Sequence, residues 1–275
     1  MQGRSKQALG WLIVLSALTL MSSSVALGAE TAADRLEHGH LRYAIGARVG
    51  TSWGGVDLPA RARPSVGLAY GRWKFGSVPS DQGLRFSGLF REPSLTYEAF
   101  QTARRSLGLS FRLHDLERKE NWDGLPSGKI TLRGRLLFSY ALTDQWMIAT
   151  EITQDLQQRG DGTTAGLGLV RGIDLGRGQR LFLSTIATWA TGDHWAGVYR
   201  EQLDPANPPS SMFGRVGVGA TWRRWFGSHW LAWTSLSAAR PVADLARRVD
   251  TEPEYRLELG VKFVSSFEFR SRRVD

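Results

Sequence analysis

The sequence predicts an all-β fold: an antiparallel transmembrane β-barrel of about ten strands, with twelve as the alternative. Three observations predict it. Apolar and polar residues alternate with a period of two from Leu41 onward. The chain opens with an export signal. No later segment approaches the roughly 18 consecutive apolar residues of a helical span. In lipid every backbone polar group must be paired within the protein, so a chain without such helices crosses a membrane only as a closed barrel.

The 275 residues start with "MQGRSKQALGWLIVLSALTLMSSSVALGA". Arg4 and Lys6 precede the apolar run from Ala8 to Met21, and small residues follow. This is a secretory signal peptide over residues 1–28, cut after Ala26 or Gly28. A short periplasmic segment, 29–40, leads into a barrel over 41–269, and a basic tail covers 270–275. Export removes most nucleic-acid functions, although 35 basic and 26 acidic residues give a net charge of +9. Cysteine is absent, which excludes thiolate metal sites and cysteine nucleophiles.

"LRYAIGARV" places Leu41, Tyr43, Ile45, Ala47 and Val49 on one face, with Arg42 and Arg48 on the other. "ITLRGRLLFSYAL" sets Leu132, Leu136, Phe138 and Tyr140 against Arg133 and Arg135. After a turn at 143–145, "WMIATEITQDL" sets Trp146, Ile148 and Ile152 against Glu151 and Asp155. "YRLELGVKF" sets Tyr255, Leu257, Leu259, Val261 and Phe263 against Arg256 and Glu258. Such alternation makes strands with one greasy and one polar face. Weaker strand-like runs lie at 66–75, 84–90, 107–113, 165–175, 181–189, 214–225 and 230–238. One bent strand across 64–91 gives ten strands. Two separate runs there, with a further strand at 95–100, give twelve.

The links also alternate. Short ones at 143–145, 176–179 and 226–229 stand between long polar ones at 54–63, 115–128, 192–212 and 241–254. Short periplasmic turns and long outward loops are the habit of outer-membrane barrels. Trp146 follows one short turn, and Trp225 and Trp230 bracket another. With Tyr255 and Phe263 they are expected to form an interfacial aromatic girdle. The polar faces put Arg42, Arg48, Arg133, Arg135, Glu151, Asp155, Arg256 and Glu258 in the lumen. They form either an electropositive anion path or a plugging network of arginine–carboxylate pairs.

Other motifs carry less. His38 and His40 are half a metal site at most, and no cofactor is expected. His114-Asp115 and Asp193-His194 have no serine motif at a fixed spacing, so the expectation is a non-enzymatic protein. Arg159-Gly160-Asp161 spells an adhesion tripeptide, but turn chemistry explains it.

"LRGRLLFSYALTDQWMIATEI", "LFLSTIATWATGDHWAGVY" and "YRLELGVKF", in that order, resemble the MipA/OmpV family of outer-membrane proteins. The chain runs past Phe263 through Phe269 to "RSRRVD", so two phenylalanines compete as the terminal assembly signal. The resemblance implies a scaffold in the Gram-negative cell outer membrane. Its partners would be a lytic murein transglycosylase and a penicillin-binding synthase, in a setting of outer-membrane lipids and lipopolysaccharide. The alternatives are a small anion-preferring porin, or an adhesion protein that uses its long loops.

Overall fold

The computed structural model describes residues 39–53, 58–76, 94–102, 104–115, 130–199, 202–204, 206–249 and 252–269. The expected signal peptide, His38, the run at 84–90 and the basic tail lie outside the described residues. Twelve strands follow one another: β1 (Gly39–Trp53), β2 (Leu58–Tyr70), β3 (Trp73–Gly76), β4 (Leu95–Gln101), β5 (Arg105–Asp115) and β6 (Ile130–Ala141). Then come β7 (Trp146–Asp155), β8 (Thr163–Gly176), β9 (Gln179–Ala190), β10 (Met212–Phe226), β11 (Trp230–Pro241) and β12 (Glu254–Phe269). Between β9 and β10 lies a short helix, α1 (Gly192–Val198), and a 3-10 turn at Leu245–Arg247 precedes β12.

Every strand pairs antiparallel with its sequence neighbours, and β1 closes on β12 from Gly39↔Phe269 to Trp53↔Tyr255. The barrel is closed and has twelve strands, the alternative count rather than ten. Two features decide the number. The run at 66–75 is not one strand: it turns at Gly71, whose φ of 54° suits glycine, and continues as β3. The expected long link at 54–63 is mostly strand, because β2 begins at Leu58. Pro64 sits in register opposite Ala47 of β1, at a position where β3, which pairs with β2 only over Gly67–Tyr70, does not pair.

Both described termini and the short turns lie at one end. The β8–β9 turn shows the local chemistry: Arg177 (φ 50°) and Gly178 (φ 73°) both take positive φ, as a tight type I′ hairpin requires. The links from β7 to β8, β9 to β10 and β11 to β12 lie at the other end. By the habit of outer-membrane barrels the short-turn end is periplasmic.

The apolar alternation faces outward. Ile45, Val66, Leu109, Phe111, Leu167, Val218 and Leu259 are exposed, whereas Ala44, Ser110, Arg133, Thr153 and Thr221 are buried on the inward registers. A water-soluble protein does not expose a continuous band of this kind. The greasy face therefore meets lipid, and the chain is a barrel of the outer-membrane type. No helix of the described residues is long and apolar enough to cross a membrane.

Candidate functional site: the barrel lumen

The lumen is built by the strand period alone: every second residue of twelve strands points into it. On β1 and β2 these residues include Arg42, Arg48, Arg61 and Arg63, and neither strand contains an acidic residue. Arg48 stands directly opposite Arg63. Across the barrel's short strands β3 and β4 the motif repeats, with Arg112 of β5 opposite Arg133 of β6. Like charges on directly facing positions oppose sheet pairing. In each facing pair a carboxylate from another element offsets part of the repulsion: Glu258 reaches Arg48 and Asp161 reaches Arg133.

The carboxylates collect elsewhere. On β6 and β7, Arg135 donates to Glu151 from Nε (2.9 Å to Oε1) and Nη2 (3.0 Å to Oε2). Thr153 Oγ1 donates to the same Oε1 at 2.7 Å. Arg133 Nε lies 3.0 Å from Asp161 Oδ2, and His194 Nδ1 of α1 lies 3.1 Å from Asp161 Oδ1. Asp155 holds the β7–β8 loop. Its oxygens accept from Thr131 Oγ1, from the backbone N–H of Gln157 at 3.0 Å, from that of Arg159 at 2.7 Å and from that of Asp161 at 3.2 Å. Of the adhesion tripeptide, Asp161 is thus buried, while Arg159 and Gly160 are exposed. His194 meets Asp161, with Nδ1 3.1 Å from Oδ1.

A second group lies on β11, β12 and β1. Glu258 Oε2 is 3.3 Å from Arg48 Nη1, and its Oε1 accepts from Trp233 Nε1 at 3.0 Å. Lys262 Nζ sits 4.9 Å from the centre of the Trp233 ring, a cation–π contact. Gly260 lets that ring lie against the backbone: a Cβ there would be 2.1 Å from Trp233 Cζ2. Nearer the loop end, Glu254 pairs with both Arg215 and Arg256.

Toward the short turns the inner wall of β7, β8 and β9 becomes apolar, with Met147, Ala149, Val170 and Phe182 in one buried cluster. Arg223 lies over the Phe182 ring at 4.8 Å. At the loop end, Trp195 of α1 packs with Ala190, Leu245 and Val249, and its Nε1 donates to the Met212 carbonyl at 3.3 Å. This cluster ties the β9–β10 and β11–β12 links into one structured rim.

The structure places Arg42, Arg48, Arg133, Arg135, Glu151, Asp155, Arg256 and Glu258 on inward registers. It splits them into the two groups above. Trp146 and Trp230 are exposed at the short-turn end, where Trp230 meets Phe263 edge-on at 5.4 Å. Tyr255 stacks on Trp53 at the loop end, 5.6 Å between centroids. Trp225 is a correction. It shares the inward register of buried Thr221, and the outward aromatics of β10 at the short-turn end are Trp222 and Phe226. Its neighbours Trp222, Arg223 and Arg224 put the same residue types on both faces, so type alone gave no parity.

Sequence reasoning missed Arg61, Arg63, Arg112, Arg215, Lys262, Trp233 and Asp161. The first two lay in a stretch read as loop. Extending the period of two back from Val66 reaches Arg63 and Arg61. Among the described residues no group of His, Cys, Asp and Glu could hold a metal ion.

Several solved structures are similar in architecture. The NanC porin shares 8% identity, with 80% of this chain and 98% of that one covered, at a TM-score of 0.46. The KdgM porin shares 10% identity over 82% of this chain and 98% of that one, at a TM-score of 0.39. The outer membrane channel DcaP of Acinetobacter baumannii shares 9% over 82% and 98%, also at 0.39. The likeness is one of barrel layout, and nothing about cargo follows from it. No family model matches the chain, and no curated protein matches it in sequence. The likeness to the MipA/OmpV family accordingly rests on the quoted motifs.

Proposed function

We propose that this barrel is a passive, anion-preferring channel of the outer membrane. The observation that carries the reading is the excess of arginine on the β1–β2 wall: Arg42, Arg48, Arg61 and Arg63 lie on its lumen side, neither strand contains an acid, and Glu258 of the adjoining β12 pairs with Arg48. A charged wall inside a low-dielectric barrel focuses its field into the lumen and raises the local concentration of counter-ions.

The test is conductance of the folded barrel in a planar bilayer under a potassium chloride gradient. The expected reversal potential has the sign of chloride flow. A folded barrel without conductance, or one that favours potassium, overturns the reading. The scaffold role implied by the resemblance has a separate test. The short-turn end would retain a lytic transglycosylase or a penicillin-binding synthase from an envelope extract, whatever the state of the lumen.

A further inference from the structure

Near the short turns three arginines break the inward pattern; a fourth outward arginine, Arg240, lies toward the loop end of β11. Arg105, Arg171 and Arg224 lie on the outward registers of β5, β8 and β10, near the short turns. Each guanidinium covers an aromatic ring of the lipid-facing girdle. Arg105 sits 5.5 Å from the centroid of Tyr140, Arg171 sits 5.5 Å from Trp146, and Arg224 sits 4.7 Å from Phe226. Two of these contacts are fixed by register, since Arg105 faces Tyr140 and Arg171 faces Trp146. Among the described residues no carboxylate pairs with any of the three. Asp144, exposed in the turn between Tyr140 and Trp146, forms no ion pair with them.

The four strands β5 to β8 are consecutive neighbours in the sheet. They carry two register pairs, Arg105–Tyr140 and Trp146–Arg171, in a staggered row. Tyr140 pairs with Ile148, so the Trp146–Arg171 pair is offset by two residues along the sheet, and three strand spacings with that offset put the two arginines roughly 16 Å apart around two rings. Toward the membrane centre the same faces continue as Leu107, Phe138, Ile148 and Leu169. A guanidinium held over a ring keeps outer N–H groups available to grip a phosphate from one side. Apolar side chains directly below suit acyl chains, which a free phosphate lacks.

We propose that this row is a binding site for the phosphate headgroup of a phospholipid of net negative charge in the inner leaflet. Arg224 on Phe226 forms a second clamp of the same kind. The short-turn end faces the periplasm, so the site meets the phospholipid leaflet rather than lipopolysaccharide. The channel reading plays no part in this inference.

The test is native mass spectrometry of the full barrel, folded in vesicles of equal phosphatidylglycerol and phosphatidylcholine and then extracted in detergent. Wild type is expected to retain phosphatidylglycerol several-fold over phosphatidylcholine. R105Q/R171Q should fall to the ratio of the vesicle. R105K/R171K should keep part of the preference, and the lumen variant R48Q/R63Q all of it. Heat-dependent gel mobility shows that each variant is folded, and single variants R105Q and R171Q stand in should the double variant not fold. No preference in wild type, or an unchanged preference in R105Q/R171Q or in both single variants, overturns the site. Complete displacement of the lipid by inorganic phosphate also overturns it, because a free anion is then the occupant.

Discussion

Arg135 and Glu151 clasp each other through two parallel hydrogen bonds, although the register puts Arg135 opposite Thr153 and Glu151 opposite Leu137. The clasp therefore runs diagonally across the β6–β7 hairpin and locks the two strands in height. The Arg135 side chain is fully buried, and Glu151 is nearly so. Neutralising the acid leaves a buried cation without its main counter-charge.

Glu151→Gln is expected to destabilise the barrel by on the order of 3 kcal/mol. A urea titration of the folded protein in lipid measures it as a lower midpoint. The double variant R135M/E151L should recover most of the loss, since a buried pair replaced by apolar groups of similar size is often neutral. A midpoint unchanged in E151Q would mean that water in the lumen already screens the pair.

Gly260→Ala concerns the other wall. The added methyl meets Trp233 Cζ2 and Cη2 at 2.1 and 2.3 Å, so the indole must leave its place under Lys262. The ring would also lose its bond to Glu258. The expected cost is about 1–3 kcal/mol, the usual penalty of overpacking. The same urea titration reads it, and a shifted Trp emission distinguishes ring displacement from a general loss of folding. Equal stability would show that the ring has a second seat in the lumen.

Much of this barrel was legible because the two faces of β1, β6, β7 and β12 differ so sharply. Large apolar residues such as Ile45 and Leu259 alternate with charges such as Arg48 and Glu258. Legibility fails where that contrast shrinks. The outward residues at the start of β2 are Ala60, Ala62 and Pro64, too small and too proline-rich to read as a lipid face. The helix α1, seven residues long, is shorter than a reliable helical period. Inward loops were unreadable for another reason. Asp161 is drawn inside by Arg133 and His194, residues 28 and 33 positions away, and no local pattern encodes such a pairing.

Trp195 tests whether the rim is a unit. It is 1% exposed and fills the space between Ala190, Leu245 and Val249, with Gly214 so close that a Cβ there would lie 2.7 Å from its ring. Trp195→Ala should remove about 3–5 kcal/mol of local packing. The strands keep their own ladders, so the expected result is a folded barrel whose 191–211 link is cut rapidly by protease added on the loop side. Global unfolding instead would make the rim part of the barrel's folding core.

The facing pair Arg48 and Arg63 gives the anion preference a definite salt dependence. Screening shortens from about 10 Å at 0.1 M salt to about 3 Å at 1 M. A preference generated by the field of the β1–β2 wall must therefore weaken as salt rises. In R48Q/R63Q it should be small at all concentrations, because the two charges standing opposite each other are gone. R135Q removes one cation, clasped by Glu151 through two hydrogen bonds, where R48Q/R63Q removes two cations with Glu258 bonded to Arg48 through one, and it should change the preference less. Reversal potentials at a fixed gradient ratio and several mean concentrations measure all three proteins. A wild-type preference that persists undiminished in molar salt would place selectivity in direct coordination at a narrow point rather than in the field of the wall. An unchanged preference in R48Q/R63Q would move it off these two strands altogether.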